Sequence, residues 1–197
     1  MRKPNEEEVK SGNGNNWTPV EVGGHYMKIM SVENYQSKTG KPMIKVMFDF
    51  DSNDKQPGYF TEKYKNDDRE DKKWPFAATN YVMIDDYNDS SKYSRNFMSF
   101  INSVEHSNTG FQTNWDAQDF VGQFNGKKIG GVFGIVESEY NGNVRKRAEL
   151  RWFCGIESVA DVNIPEEKLL QGSKQSSIAS DDDFLDVPND LGELPFN

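Results

Sequence analysis

Residues 26–50 read YMKIMSVENYQSKTGKPMIKVMFDF, and this stretch decides the fold class. In its second half Ile44, Val46, Phe48 and Phe50 alternate with Met43, Lys45, Met47 and Asp49, a period of two that turns one row of side chains inward. YMKIMSV over 26–32 is a second β-rich run, and the intervening Thr39-Gly40-Lys41-Pro42 predicts a hairpin. Downstream, YFTEKYK at 59–65 places Tyr59, Thr61, Lys63 and Lys65 on one side and Phe60 and Tyr64 on the other, which predicts a third strand. WPFAATNYVMIDDY, residues 74–87, reads as either a strand or an extended connection.

Helical spacing follows. Tyr93, Phe97, Phe100, Ile101 and Val104 form one apolar stripe, with Asp89 or Ser90 as N-cap, so a helix is expected over about 91–105. Asp116 is placed to cap a short second helix carrying Phe120, Val121 and Phe124, ended by Asn125-Gly126. IGGVFGIVESEY (129–140) and VRKRAELRWF (144–153) flank Asn141-Gly142-Asn143, a strong short-range hairpin signal because Asn and Gly tolerate positive φ. Strands first, then a helix inserted before a final hairpin, suit a mainly β fold: an OB-like Greek-key barrel with one main helix over 17–170. Residues 1–16, polar and Gly/Asn-rich, read as a disordered arm, and 171–197 as a disordered acidic tail.

Composition narrows the function classes. Of 197 residues 35% are hydrophobic, so much of the core must come from the 13 Phe, 8 Tyr and 4 Trp. The formal charge of −9 is uneven: the tail carries six acids against Lys174, leaving −4 for residues 1–170, a body balanced enough to hold a local basic face. A single cysteine, Cys154, forms no internal disulfide and fits a reducing cytoplasm. The charged MRKPNEEEVK start and the lack of any run of about 18 apolar residues predict a chain neither exported nor membrane-spanning.

The final β run carries the most functional information. Val144, Lys146, Ala148, Leu150 and Trp152 alternate with Arg145, Arg147, Glu149, Arg151 and Phe153, so three arginines share a face with one aromatic ring. That face reads as a phosphate-and-base surface or as a solvated outer face with an Arg–Glu–Arg ladder. In an OB barrel the loops after the first and fourth strands border a nucleic-acid groove, which Lys38, Lys41, Lys45, Tyr59, Lys63 and Lys65 would then line. Trp74 reads as a stacking residue or as a loop anchor tucked into the core. In the tail, Asp181, Asp182, Asp183 and Phe184 precede Leu194, Pro195 and Phe196, an acidic segment with an apolar tip suited to docking on a basic-rimmed pocket of a partner.

An OB-like body ending in an Asp-rich tail with Leu194-Pro195-Phe196 resembles bacterial and phage single-stranded DNA-binding proteins, although here Asn197 follows the Phe. The body, through GGHYMKI, GYFTEKYKNDDREDKKW, NTGFQTNWD and FNGKKIGGVF, is similar to small proteins of phages and mobile elements of Gram-positive bacteria, over roughly residues 19–153. The resemblance implies sequence-independent binding of single-stranded DNA in phage replication or recombination in the host cytoplasm, with the tail recruiting partner proteins. No catalytic residues, metal or cofactor are expected: there are two histidines, no P-loop and no Gly-rich phosphate fingerprint. Two alternatives stand beside this. One is an adaptor or inhibitor that contacts a host protein and never DNA; the other is a metal-dependent nuclease using Asp67, Asp68, Glu70 and Asp71, a loop in which Arg69, Lys72 and Lys73 are interspersed.

Overall fold

The alternation over 43–50 does form a strand, and the sheet grows from it in both directions. The structure is a computed structural model that describes residues 18–140 and 142–170. Its strands are β1 (Gly23–Gln36), β2 (Pro42–Phe50), β3 (Thr79–Met83), β4 (Lys128–Tyr140) and β5 (Asn143–Cys154). Helices α1 (Tyr59–Lys65) and α2 (Arg95–Ser107) accompany them. The protein is mainly β: its strands form one antiparallel sheet in the order β3-β2-β1-β4-β5. The N-terminal arm up to residue 17 and the tail from 171 onward, with Asp181, Asp182, Asp183, Phe184, Leu194, Pro195 and Phe196, lie outside the described residues.

The inner face of the sheet buries Met27, Ile29, Ile44, Val46, Phe48, Ile129 and Phe133, and α2 closes over it with Phe97, Phe100, Ile101 and Val104. Burying each such side chain stabilises the fold by about 1.5–3 kcal/mol. A bulge interrupts β1: Ile29 pairs with Phe48 and Ser31 with Met47, leaving Met30 as the extra residue. Side-chain parity therefore reverses, so that Val32 faces the core and Ser31, Glu33 and Tyr35 face outward.

YFTEKYK is a helix and not the strand its alternation suggests. Gly58, at φ 66°, turns the chain back toward β2, and the buried carboxylate of Asp49 accepts the N–H groups of Phe60 (2.9 Å) and Thr61 (3.0 Å). The first-turn donors are thus capped from eleven and twelve residues upstream, a contact no local pattern reveals. Phe60 and Tyr64, four apart, then turn to one side, as a helix requires. The main helix begins later than expected. Ser94 caps it by accepting from the Phe97 N–H at 3.1 Å, while Asp89 is held by Lys92 and Ser91 in the preceding turn. In place of the second helix there is a 3-10 turn at Gly122–Phe124, which still buries Val121 and Phe124.

Beyond β5, a short turn over Ile156–Asp161 buries Val159, and the chain then returns along β4. Lys168 donates to the Ile135 carbonyl and accepts from the Glu137 N–H, both at 2.9 Å, and so covers the β4 edge where pairing with β1 has ended. Among the described residues no helix is long and apolar enough to cross a membrane.

One buried polar pair ties the start of β1 to the β2–α1 loop. His25 lies stacked on Phe50 at 4.2 Å, with Nδ1 3.0 Å from Asp54 Oδ1 and Nε2 3.0 Å from the Glu21 carbonyl. Burial works against the Asp54 carboxylate, but the His25 ring and the N–H groups of Gln56 and Tyr26 outweigh it and hold its pKa below the usual carboxylate range. A depressed carboxylate pKa contributes stability that is fully present above the ordinary value of about 4 and is lost as pH falls through the folded value. Asp54→Asn is accordingly expected to lower the melting temperature at neutral pH, and the gap between variant and parent should close as the pH is taken well below about 4. A gap that persists unchanged into acid would show that the carboxylate charge is not what stabilises the loop.

Candidate nucleic-acid interface

The outer face of β1, β2 and β3 is built by register. Lys45 sits opposite Glu33 on β1 and Tyr81 on β3, while Met43 sits opposite Tyr35 and Met83. Directly opposed residues in an antiparallel ladder share a face, so Glu33, Tyr35, Met43, Lys45, Tyr81 and Met83 form one surface. Across Met43 and Lys45 the rings of Tyr35 and Tyr81 meet with centroids 4.8 Å apart, and Tyr81 remains 38% exposed. Lys45 Nζ lies 3.1 Å from Glu33. At the end of this face, the hairpin loop between β1 and β2 carries exposed Lys38 and places Lys41 Nζ 3.8 Å from the ring centroid of the exposed Tyr87.

The two edge strands of the sheet also approach each other. β3 and β5 line one cleft, through Asn80, Tyr81 and Val82 on one side and Arg151, Trp152 and Phe153 on the other, with Asn96 and Ser99 of α2 below. Farther along, the Arg147 guanidinium lies 5.9 Å from the Phe76 ring, which is 67% exposed. Its Nε donates to Glu149, and Arg151 Nη1 donates to the Glu166 carbonyl at 3.1 Å.

A bulge explains why β5 departs from simple alternation. Leu150 pairs with Phe133 and Trp152 with Val132, so Arg151 is the extra residue. After it the parity flips: Phe153 turns inward, 7% exposed and 5.3 Å from Phe100, and Trp152 takes the outer position at 44% exposure. Phe153 is therefore a core ring and not the outward stacking partner of the arginines. Arg145 and Arg147 do lie on the exposed side.

The remaining expected groove residues are dispersed. Tyr59, Lys63 and Lys65 lie on α1 and not on a strand beside β2; Tyr59 packs on Phe50 with centroids 6.1 Å apart, and burial pushes its phenol pKa up. Trp74 is the anchor of its two readings: half-buried against the core, its Nε1 donates to the Ala78 carbonyl at 3.2 Å. Sequence reasoning missed Tyr35, Tyr81, Tyr87, Phe76 and Trp152. The alternation of Ser31, Glu33 and Tyr35, and of Thr79, Tyr81 and Met83, would have pointed to the first two had the bulge and β3 been recognised.

No family model and no curated protein matches the chain. The reading of the surface thus rests on its chemistry. Aromatic rings outnumber unpaired cations on it, because Glu33 and Glu149 stand beside Lys45 and Arg147. In the acidic loop, the Arg69 guanidinium 2.6 Å from Asp67 holds that carboxyl down to about 2. Among the described residues no group of three or more His, Cys, Asp or Glu gathers as a metal site. At Cys154 burial, with Glu157 beside it, pushes the thiol up to about 11, so it stays protonated near neutrality.

Proposed function

We propose that the chain binds single-stranded DNA across the outer face of β1–β3 and the facing edge of β5, without catalysis and with little dependence on sequence. The observation that carries this is the solvent-exposed Tyr35–Tyr81 ring pair beside Lys45, which leads to Trp152 and Arg151 across the β3–β5 cleft. Exposed rings on β1 and β3, meeting across β2, offer stacking to any base at about 1–3 kcal/mol per base, and the neighbouring cations follow the backbone. The strand order, with β3 and β5 as edges flanking one cleft and α2 between β3 and β4, supports an OB-like arrangement in which this face and the loops at Lys38–Lys41 and Gly142 border the groove. The resemblance to phage single-stranded DNA-binding proteins points the same way. It supports a role in DNA replication or recombination in a bacterial host cytoplasm, with residues 171–197 recruiting partner proteins through Phe184 and Leu194-Pro195-Phe196.

Titrating oligo-dT into the full chain at two salt concentrations tests the proposal. Binding that weakens with salt supports it. Because the cations are few and partly paired, the expected log–log slope is shallow, about −2 for three phosphate contacts on a single strand. Replacing Arg145, Arg147 and Arg151 together by alanine should weaken binding and flatten that slope toward zero while the melting temperature stays close to the parent's. An unaltered slope in the triple variant would place the phosphate path elsewhere.

A second reading has its own observation. Met30 is exposed, and Met43, Met47 and Met83 are half-buried around the two tyrosines, a soft apolar mixture that also suits adaptable protein contacts. An adaptor of this kind would show no oligonucleotide binding at either salt concentration.

A further inference from the structure

We infer that the cleft between β3 and β5 takes up one base of the bound strand and reads its edge through Asn80 and Asn96, so that an otherwise tolerant surface has a base preference at a single position. The inference rests on the nucleic-acid reading above. The cleft holds about 170 Å³, below the roughly 300–1,000 Å³ of clefts that enclose drug-sized ligands, so it admits one ring system and not a run of nucleotides. Buried Val82 and Phe153 line it together with Tyr81 and Trp152, beside the polar Asn80, Asn96, Ser99 and Arg151. A cleft of this size with both apolar and polar lining suits one flat heterocycle.

The polar groups of its lining are what distinguish it from a plain stacking platform. The side-chain amides of Asn80 and Asn96 make no hydrogen bond among the described residues. Each amide presents two N–H donors and a carbonyl acceptor, the combination that pairs with the adjacent donor and acceptor of a base edge. Asn96 and Ser99 stand one helical turn apart on α2 and so share the face that lines the cleft. Arg151 uses one N–H on the Glu166 carbonyl, and the other donors of its guanidinium remain for the phosphate of the same nucleotide. Asn80 and Asn96 come together only at the cleft, among the described residues, so edge reading by this pair is confined to it.

The experiment is an equilibrium titration of the full chain with oligo-dT, oligo-dC and oligo-dA of equal length, at fixed salt, for the parent, Asn96→Ala and the Asn80→Ala/Asn96→Ala pair. In the parent, the best and worst homopolymers are expected to differ by about tenfold, within the range of one good base-edge contact. The double variant should bring all three to the affinity of the least favoured, with Asn96→Ala part-way. Asn96 is exposed, so that single variant keeps its fold, and thermal melts verify the pair. Equal binding of the three homopolymers by the parent would overturn the inference and leave the binding function standing. A preference that survives in the double variant would also overturn it, since stacking strength and backbone flexibility then set the order. If no oligonucleotide binds, the binding function fails together with the inference.

Discussion

Alanine at both Tyr35 and Tyr81 is expected to weaken oligo-dT binding by roughly 30- to 150-fold, while either single replacement accounts for most of that loss. The size follows from stacking at about 1–3 kcal/mol per base and from the closeness of the rings. With centroids 4.8 Å apart the two tyrosines leave no gap for a base between them. They act as one platform, so their contributions should fall short of additivity, at about 2–3 kcal/mol together. The effect should be insensitive to salt, unlike that of the arginine triple variant, because no phosphate contact is removed. Stability should change little, since both rings are exposed on the outer face and surface substitutions of this kind usually shift stability by about 0.5 kcal/mol or less. A double variant that melts normally and binds oligo-dT with parental affinity would remove the platform from the mechanism.

The contrast between what local pattern fixes and what it leaves open follows element by element. The β2 alternation over Ile44–Phe48, the α2 stripe from Phe97 to Val104 and the β4–β5 hairpin are properties of short windows and are present, while Tyr93 falls ahead of the helix and Asp49 is buried. Bulges at Met30 and Arg151 are not visible in a window, because an extra residue is defined only by the partner strand. Each bulge reverses every side chain after it. One brings Tyr35 onto the face of Lys45, and the other exchanges Phe153 for Trp152. The helical state of residues 59–65 has the same origin, since the capping carboxylate of Asp49 comes from the end of β2. The cation count overstates the free positive charge for a related reason. Runs of arginine and lysine are legible in one dimension, but the carboxylates that pair with them lie across strands, Glu33 against Lys45 and Glu137 and Glu167 against Lys146. Stacking, and not cation density, is consequently the stronger part of the candidate surface.

Phe153→Ala is the change with the largest expected effect on stability, and it separates core from surface on β5. The ring is 7% exposed and meets Phe100, which in turn meets Phe124 at 5.3 Å, so truncation leaves a cavity at the junction of sheet and α2. Phe→Ala in such a setting costs about 3–5 kcal/mol. For a body of this size, each kcal/mol shifts the melting temperature by about 2–4 °C, which predicts a fall on the order of 10 °C. Trp152→Ala, one residue earlier on the exposed side, should melt within a few tenths of a kcal/mol of the parent and instead lose affinity for DNA by about 1–3 kcal/mol. The pair of variants therefore reads the bulge directly. If Arg151 were not the extra residue, Phe153 and Trp152 would exchange roles, with Trp152→Ala unfolding the protein and Phe153→Ala weakening its binding. A thermal melt and one oligo-dT titration of each variant decide between the two arrangements.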